Sequence, residues 1–355
     1  MSGRRRAGLV GGLAGAVAIG AAAGLAAERY AVGRTRLGPD PDRDEPFFAL
    51  PSDRVRRVVA DDGVPLHVEE VGQRGPVTVV FCHGYTQQLA VWHYQRVALA
   101  AEGVGKLVFW DQRSHGRSGR SSPERSTIDQ LGRDLHAVLA ACAPTGKVVL
   151  VGHSMGGMTI MALADQHPEL FGSRVVGVVL IGTSTGKLAA LSFGLPSAMS
   201  GVTGRVLPYL TRGMRGRPQL LESGRRLGTD LAFVATRRAA FGVGEVSPSL
   251  VEFVEKMTAQ TPVDVIAEFY DTFVDHDKLR ALGALRDVEV LVLVGSRDVI
   301  TPVEHSRTIA AHLPDAQLVV VEGAGHMVQL ERAAMVTLHV RALLRRATRS
   351  ASRTA

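Results

Sequence analysis

Lys147-Val148-Val149-Leu150-Val151 runs straight into Gly152-His153-Ser154-Met155-Gly156-Gly157, and that turn opens onto Met158-Thr159-Ile160-Met161-Ala162-Leu163-Ala164-Asp165. The first segment is a continuous apolar, β-branched run, suited to a strand buried on both faces. The last has the composition of a helix. Between them stands G-x-S-x-G, at the strand–turn–helix junction that gives this short pattern meaning. A sharp turn there holds the serine in a strained conformation, so residues two before and two after it must lack bulk where backbone passes close. Gly152 and Gly156 meet that need. The serine also stands at a helix amino terminus, whose free N–H groups and dipole favour developing negative charge. Ser154 is therefore the candidate nucleophile.

Working outward, the same alternation continues in both directions. Val77–Cys82, Leu107–Trp110, Val175–Ile181 and Val288–Val294 are further continuous apolar runs, and Leu318–Val321 ends the series. Val64–Val71 alternates like an outer strand, with Asp61-Asp62-Gly63 as the turn before it. Helical patterns fall near 94–101, 127–141, 157–166, 304–312 and 328–346. Strand–helix alternation of this kind predicts an α/β fold with a doubly wound, mostly parallel sheet. It lapses between about 183 and 273, where scattered Met, Pro208, Pro218, Pro248 and Pro262 and no strong strand predict a helical cap or lid inserted into a core of residues 53–182 and 274–346. Residues 347–355 read as a basic tail.

The amino end is a separate unit. Arg4, Arg5 and Arg6 precede an uncharged run, Ala7–Ala27, that ends at Glu28 and Arg29. At about 1.5 Å per residue the run reaches about 31 Å, enough to span a bilayer's hydrocarbon core. Residues 1–30 are expected to form an amino-terminal apolar helix that anchors the chain in a membrane. A cleaved signal peptide, which would leave the domain secreted, and a soluble extension are the alternatives. Arginines on both sides of the run leave its orientation open. Gly8/Gly12, Gly11/Gly15 and Gly20/Gly24 repeat the GxxxG spacing that allows weak self-association in lipid. Residues 31–52, with Pro39, Pro41, Pro46 and Pro51 among Asp40, Asp42, Asp44 and Glu45, read as a linker.

Composition narrows the function further. Among 355 residues, 46% are hydrophobic and 21% charged, which excludes a disordered chain and a small disulfide scaffold. Cys82 and Cys142 form no CxxC motif. The net charge of +7 rests on 36 Arg against 5 Lys, a bias usual in GC-rich bacterial coding. No basic stripe is interleaved with aromatics, so no nucleic-acid partner is expected. No histidines and carboxylates stand at metal-ligand spacing, so neither a metal nor a cofactor is expected.

Four motifs together give the chain a resemblance. His83-Gly84-Tyr85, Asp111-Gln112-Arg113-Ser114-His115-Gly116-Arg117-Ser118, the Gly152–Gly157 turn and Gly323-Ala324-Gly325-His326 make residues 55–345 similar to the α/β-hydrolases, in their lidded esterase/lipase-like branch. The turn looks like that of monoacylglycerol-lipase-type and cofactor-free haloperoxidase-type members. Ser114 departs from the commoner pattern, which has glycine there.

A serine hydroxyl becomes a good nucleophile when a base takes its proton, and a carboxylate orients that base. In this fold the chain order is serine, acid, histidine. Asp298, just past the strand Val288–Val294, is the candidate acid; its competing role is to cap the helix around Val303, and Asp275 and Asp277 are the alternative acids. His326, in the loop after the last strand and flanked by small residues, is the candidate base. His153 is expected to point away and pack, His83 to brace the loop after the first core strand, and His115, His305 and His312 to be structural. The oxyanion needs two donors: by geometry the Met155 backbone N–H, and by resemblance the Tyr85 backbone N–H. The expected activity is hydrolysis of a carboxylic ester, with a small-molecule or lipid ester such as a monoacylglycerol as substrate. C–C bond hydrolysis or perhydrolysis with the same triad, and a catalytically slow, membrane-tethered ligand-binding protein, are the alternatives.

Overall fold

The computed structural model describes residues 38–73, 75–186 and 229–353. Eight strands form one sheet: β1 (Arg54–Val59), β2 (Pro65–Val71), β3 (Val77–Cys82), β4 (Lys106–Trp110), β5 (Lys147–His153), β6 (Val175–Ile181), β7 (Glu289–Gly295) and β8 (Gln317–Val321). Their order is β1-β2-β4-β3-β5-β6-β7-β8. The β1–β2 and β2–β4 pairs are antiparallel and the rest parallel, so the sheet is mostly parallel. β5 is central, and its carboxyl end delivers Ser154 to the rim where the parallel strands end.

The helices are α1 (His93–Ala101), α2 (Ile128–Cys142), α3 (Met155–Gln166), α4 (Thr229–Ala240), α5 (Pro248–Gln260), α6 (Val263–Val274), α7 (Val303–His312), α8 (Val328–Glu331) and α9 (Ala333–Arg353). Strand side chains alternate between two cores, as a period of two requires. Val79, Phe81, Val149, Val151, Val179 and Ile181 join the core that also takes Leu99 of α1 and Val336, Val340 and Leu343 of α9. Val80, Cys82, Val148, Leu150, Val178 and Leu180 face the other core, with Leu135 and Val138 of α2, Ile160 and Met161 of α3, and Ile309 of α7. Both faces are thus covered, which explains why these strands read as unbroken apolar runs. Truncating a fully buried side chain such as Phe81 to alanine would cost about 3–5 kcal/mol.

Three features depart from the sequence pattern. Arg54–Val59 is an edge strand that its arginines conceal. The single helix predicted over 328–346 is two, because Arg332 (φ −129°, ψ 46°) leaves helical geometry between α8 and α9. The described part of the 31–52 segment has turns and no helix or strand, yet it is docked. Phe47 stacks on Phe253 of α5 at 4.3 Å between ring centroids, and Glu45 accepts from His93 at 2.8 Å. Within 183–273 the described residues form α4, α5 and α6. The apolar run 7–27 lies outside the described residues, among which no helix is long and apolar enough to cross a membrane.

Candidate active site

Ser154 is the first residue after β5 and the N-cap of α3, with φ 53° and ψ −119°. A non-glycine residue at positive φ is strained by about 1–2 kcal/mol, and the surroundings must hold it there. Ser154 N–H donates to Ile181 O at 2.9 Å, and its carbonyl accepts from Gly157 N–H at 2.9 Å and Thr183 Oγ1 at 2.8 Å. The flanking glycines are required by close approach. A Cβ on Gly156 would stand 2.0 Å from Cys82 O, and one on Gly152 would stand 2.5 Å from Gly156 O. Strand β3 and helix α3 therefore meet backbone to backbone under the turn.

Asp298 follows β7, and His326 lies in the loop between β8 and α8. His326 Nδ1 and Asp298 Oδ2 are 2.8 Å apart. The other carboxyl oxygen, Oδ1, accepts from Ile300 N–H at 2.9 Å and Thr301 N–H at 2.8 Å, while Thr301 Oγ1 donates to Oδ2 at 2.9 Å. Burial pushes the Asp298 carboxyl up, but the His326 ring and the Thr301 hydrogen bonds outweigh it and hold the group below its ordinary value. With Nδ1 directed at Asp298, Nε2 is the ring nitrogen left for a hydroxyl.

Strand β6 links this pair to the serine. Ile181 accepts from Ser154 N–H, and the next residue, Gly182 (φ 49°), sits against the pair: a Cβ there would lie 3.1 Å from Asp298 Oδ2 and 3.4 Å from His326 Nδ1. The His153 ring lies 4.7 Å from the His326 ring, centroid to centroid, and its Nε2 donates to His326 O at 3.0 Å. Among the described residues no hydrogen bond joins Ser154 Oγ to His326. Asp275 is the C-cap of α6, and among the described residues neither it nor Asp277 forms a hydrogen bond or ion pair with His326.

The two candidate donors flank the serine's end of the sheet. Met155 is the first residue of α3, where no intrahelical partner for its N–H exists. Tyr85 lies in the loop after β3. That loop is shaped by Gln87, whose Oε1 accepts from Gly84 N–H at 3.0 Å, and by Thr86 at φ 57°. The Tyr85 hydroxyl donates to Ile266 O of α6, and its ring meets Phe273 at 5.0 Å.

Other histidines expected to be structural have partners away from the Asp298 carboxyl. Burial pushes the His83 ring down to about 3, so it is neutral. Its Nδ1–H donates to Gly84 O at 2.7 Å, and its Nε2 accepts from Gln112 N–H at 2.9 Å, which joins the Tyr85 loop to the end of β4. Burial likewise lowers His153 well below its ordinary value and brings His115 down to about 4. His305 and His312 lie on α7, with His305 Nδ1 at 2.8 Å from Ser184 Oγ. A cavity of about 600 Å³ lies between residues 47–52 and α1, and another of about 540 Å³ lies along α6. Neither is lined by Ser154, Asp298 or His326. Among the described residues no group of three or more His, Cys, Asp or Glu could hold a metal ion.

Sequence reasoning missed Thr301, Gly182 and Gln87. Thr301 was legible as the hydroxyl three residues past the candidate acid. Gly182 and Gln87 carry no local signal, since their importance lies in what other strands bring beside them.

The sequence pattern of the alpha/beta hydrolase fold matches residues 77–333. The chain is 28% identical over 280 residues to a dihydrolipoyllysine-residue acetyltransferase component of an acetoin cleaving system from Pseudomonas putida, covering 78% of this chain and 66% of that one. It is 26% identical over 285 residues to a 3-oxoadipate enol-lactonase from Acinetobacter baylyi, covering 80% and 94%. A thermophilic esterase from Thermogutta terrifontis superposes with a TM-score of 0.65 at 23% identity, over 83% of this chain and 99% of that one, a likeness of fold. With the match spanning most of the chain and an eight-stranded sheet of the corresponding kind, this protein belongs to the α/β-hydrolase fold family.

Proposed function

We propose that the protein is a serine hydrolase that cleaves carboxylic esters through an acyl-enzyme. The observation that carries this reading is the Asp298–His326 hydrogen bond of 2.8 Å, beside a serine held at positive φ on a strand-to-helix turn. Ser154 Oγ attacks the acyl carbon while His326 Nε2 takes its proton. The carbonyl oxygen becomes an oxyanion facing the Met155 and Tyr85 N–H groups. Collapse breaks the ester C–O bond, and His326 returns the proton to the departing alcohol. Water, deprotonated by the same ring, then releases the acid and restores the serine. Losing one oxyanion donor typically costs about 10²–10³ in rate. A lactone is a cyclic ester, so the enol-lactonase relative fits the same chemistry.

The helices between β6 and β7 are read as a cap. Val265, Phe269 and Phe273 of α6 pack with Met155 and Tyr85, the two candidate oxyanion residues, which supports a cap that touches the reaction site.

The test is hydrolysis of p-nitrophenyl esters from acetate to palmitate by the full chain, beside Ser154→Ala and labelling by a fluorophosphonate. Turnover and labelling that both vanish in Ser154→Ala support the reading, and the chain-length optimum separates small esters from lipids. Labelling without ester turnover turns the reading toward C–C hydrolysis. A folded protein that neither labels nor turns over ends it in favour of a binding protein.

A further inference from the structure

Glu331 ends α8, and its side chain is 2% exposed. Its Oε2 accepts two backbone N–H groups, from Gly325 at 2.9 Å and from Gly242 at 3.0 Å. Gly325 immediately precedes His326. Gly242 lies two residues past α4, in the stretch between β6 and β7. One buried carboxyl oxygen therefore spans the histidine loop and the inserted segment.

The two segments are joined elsewhere as well. Met327 N–H donates to Ala240 O at 2.8 Å, and Val243 N–H donates to Gly323 O at 3.0 Å. Arg237 of α4 donates to Gly242 O and Gly244 O, both at 2.7 Å, so the Gly242 residue is held by ionisable side chains on both its N–H and its carbonyl. Approach is close enough to exclude side chains: a Cβ on Gly242 would stand 1.9 Å from Gly323 O, and one on Gly325 would stand 2.4 Å from Gly242 N. The His326 carbonyl, for its part, accepts from His153 Nε2.

We propose that Glu331 is a positioning residue for His326, tying the histidine loop to the segment after α4 so that the base and the inserted helices share one alignment. This rests on the reading of His326 as the base in the proposed hydrolase. Buried N–H groups left without an acceptor are costly, so removing the carboxyl frees both segments to seek water and lets the imidazole drift from Ser154. A misplacement near 1 Å in such a site can lower turnover about 10²-fold.

The experiment compares the full chain with its Glu331→Ala, Glu331→Gln and Glu331→Asp variants. It reads kcat and KM on a p-nitrophenyl ester well below each unfolding midpoint, and amide hydrogen exchange over 240–243 and 323–327. Glu331→Ala should lower kcat about 10–100-fold with far less change in KM, and exchange should rise in both segments together. Glu331→Gln, which keeps an acceptor oxygen, should recover most of kcat; Glu331→Asp, one methylene short, should fall between the alanine variant and wild type. If the alanine variant does not fold, the aspartate variant carries the comparison. Unchanged kcat in folded variants, or exchange that rises in one segment alone, overturns the proposal, because a brace serving stability alone would shift only the midpoint. Absence of Ser154-dependent turnover in the wild type would sink the hydrolase reading instead, and the exchange data would still decide whether Glu331 couples the two segments.

Discussion

Asp298 Oδ2 lies 2.8 Å from His326 Nδ1, and the Thr301 hydroxyl reaches both atoms, at 2.9 Å and 3.4 Å. The Asp298 carboxyl is thus held by Thr301 and Ile300 as well as by the histidine, and these bonds fix the orientation it presents to the ring. Replacing Asp298 by asparagine keeps the shape but loses the acceptor that selects the Nδ1–H tautomer. Asp298→Asn should lower kcat/KM by about 10³–10⁴ with a nearly unchanged unfolding midpoint, read by steady-state kinetics and thermal denaturation.

Gly182 touches the same pair from strand β6, at a φ of 49°. An added methyl would lie 3.1 Å from Asp298 Oδ2, tighter than an ordinary van der Waals contact, and the backbone would be strained as well. Gly182→Ala should lower kcat at least about 10-fold and destabilise by about 1–2 kcal/mol, measured by kinetics and urea unfolding. Full activity in that variant would show that the pair can shift without loss.

Ser114 occupies a left-handed position (φ 64°), a conformation that favours glycine, and its Oγ accepts from Ser121 N–H at 2.9 Å. The hydroxyl offsets the backbone cost. Ser114→Gly loses the acceptor but relaxes the backbone, whereas Ser114→Ala loses the acceptor and keeps the strain. The alanine variant should therefore be the less stable of the two by about 1 kcal/mol, as chemical denaturation would reveal.

Glu69 sets a limit at low pH. Burial pushes its carboxyl up, but hydrogen bonds from His67 and Arg96 and the charges of Arg96 and Arg117 prevail and bring it down to about 2. A depressed carboxyl contributes stability that is complete above its unfolded value of 4.5 and is lost as pH falls toward 2. The loss should be on the order of 2–3 kcal/mol. The difference between wild type and Glu69→Gln in urea unfolding should be greatest at pH 6, shrink below 4.5 and vanish only as pH falls through about 2; a constant difference would contradict this.

Residues 40–48 strap α5 to α1. Asp40 accepts from Ser247 and Ser249 at the start of α5, and Phe47 stacks on Phe253. Phe47→Ala should destabilise by about 2–3 kcal/mol, and limited proteolysis should cut the 240–262 region faster. Unaltered cleavage would mean that the strap does not hold α5.

The sequence by itself determined most of the strands, because apolar runs of four to seven residues are best buried in a sheet covered on both faces. It also determined the serine turn, because only glycine tolerates the backbone approach at 152 and 156. The docked strap, the edge strand Arg54–Val59 and the break at Arg332 were hidden, since each depends on partners distant in the chain. Asp298 and His326 could be named from their places after strands, but their 2.8 Å contact spans 28 positions and required β7 and β8 to lie side by side. Gly182, Gln87 and Glu331 became meaningful only in three dimensions. Local periodicity reports which face of an element is buried, whereas a hydrogen bond between two loops depends on where the packed sheet delivers them.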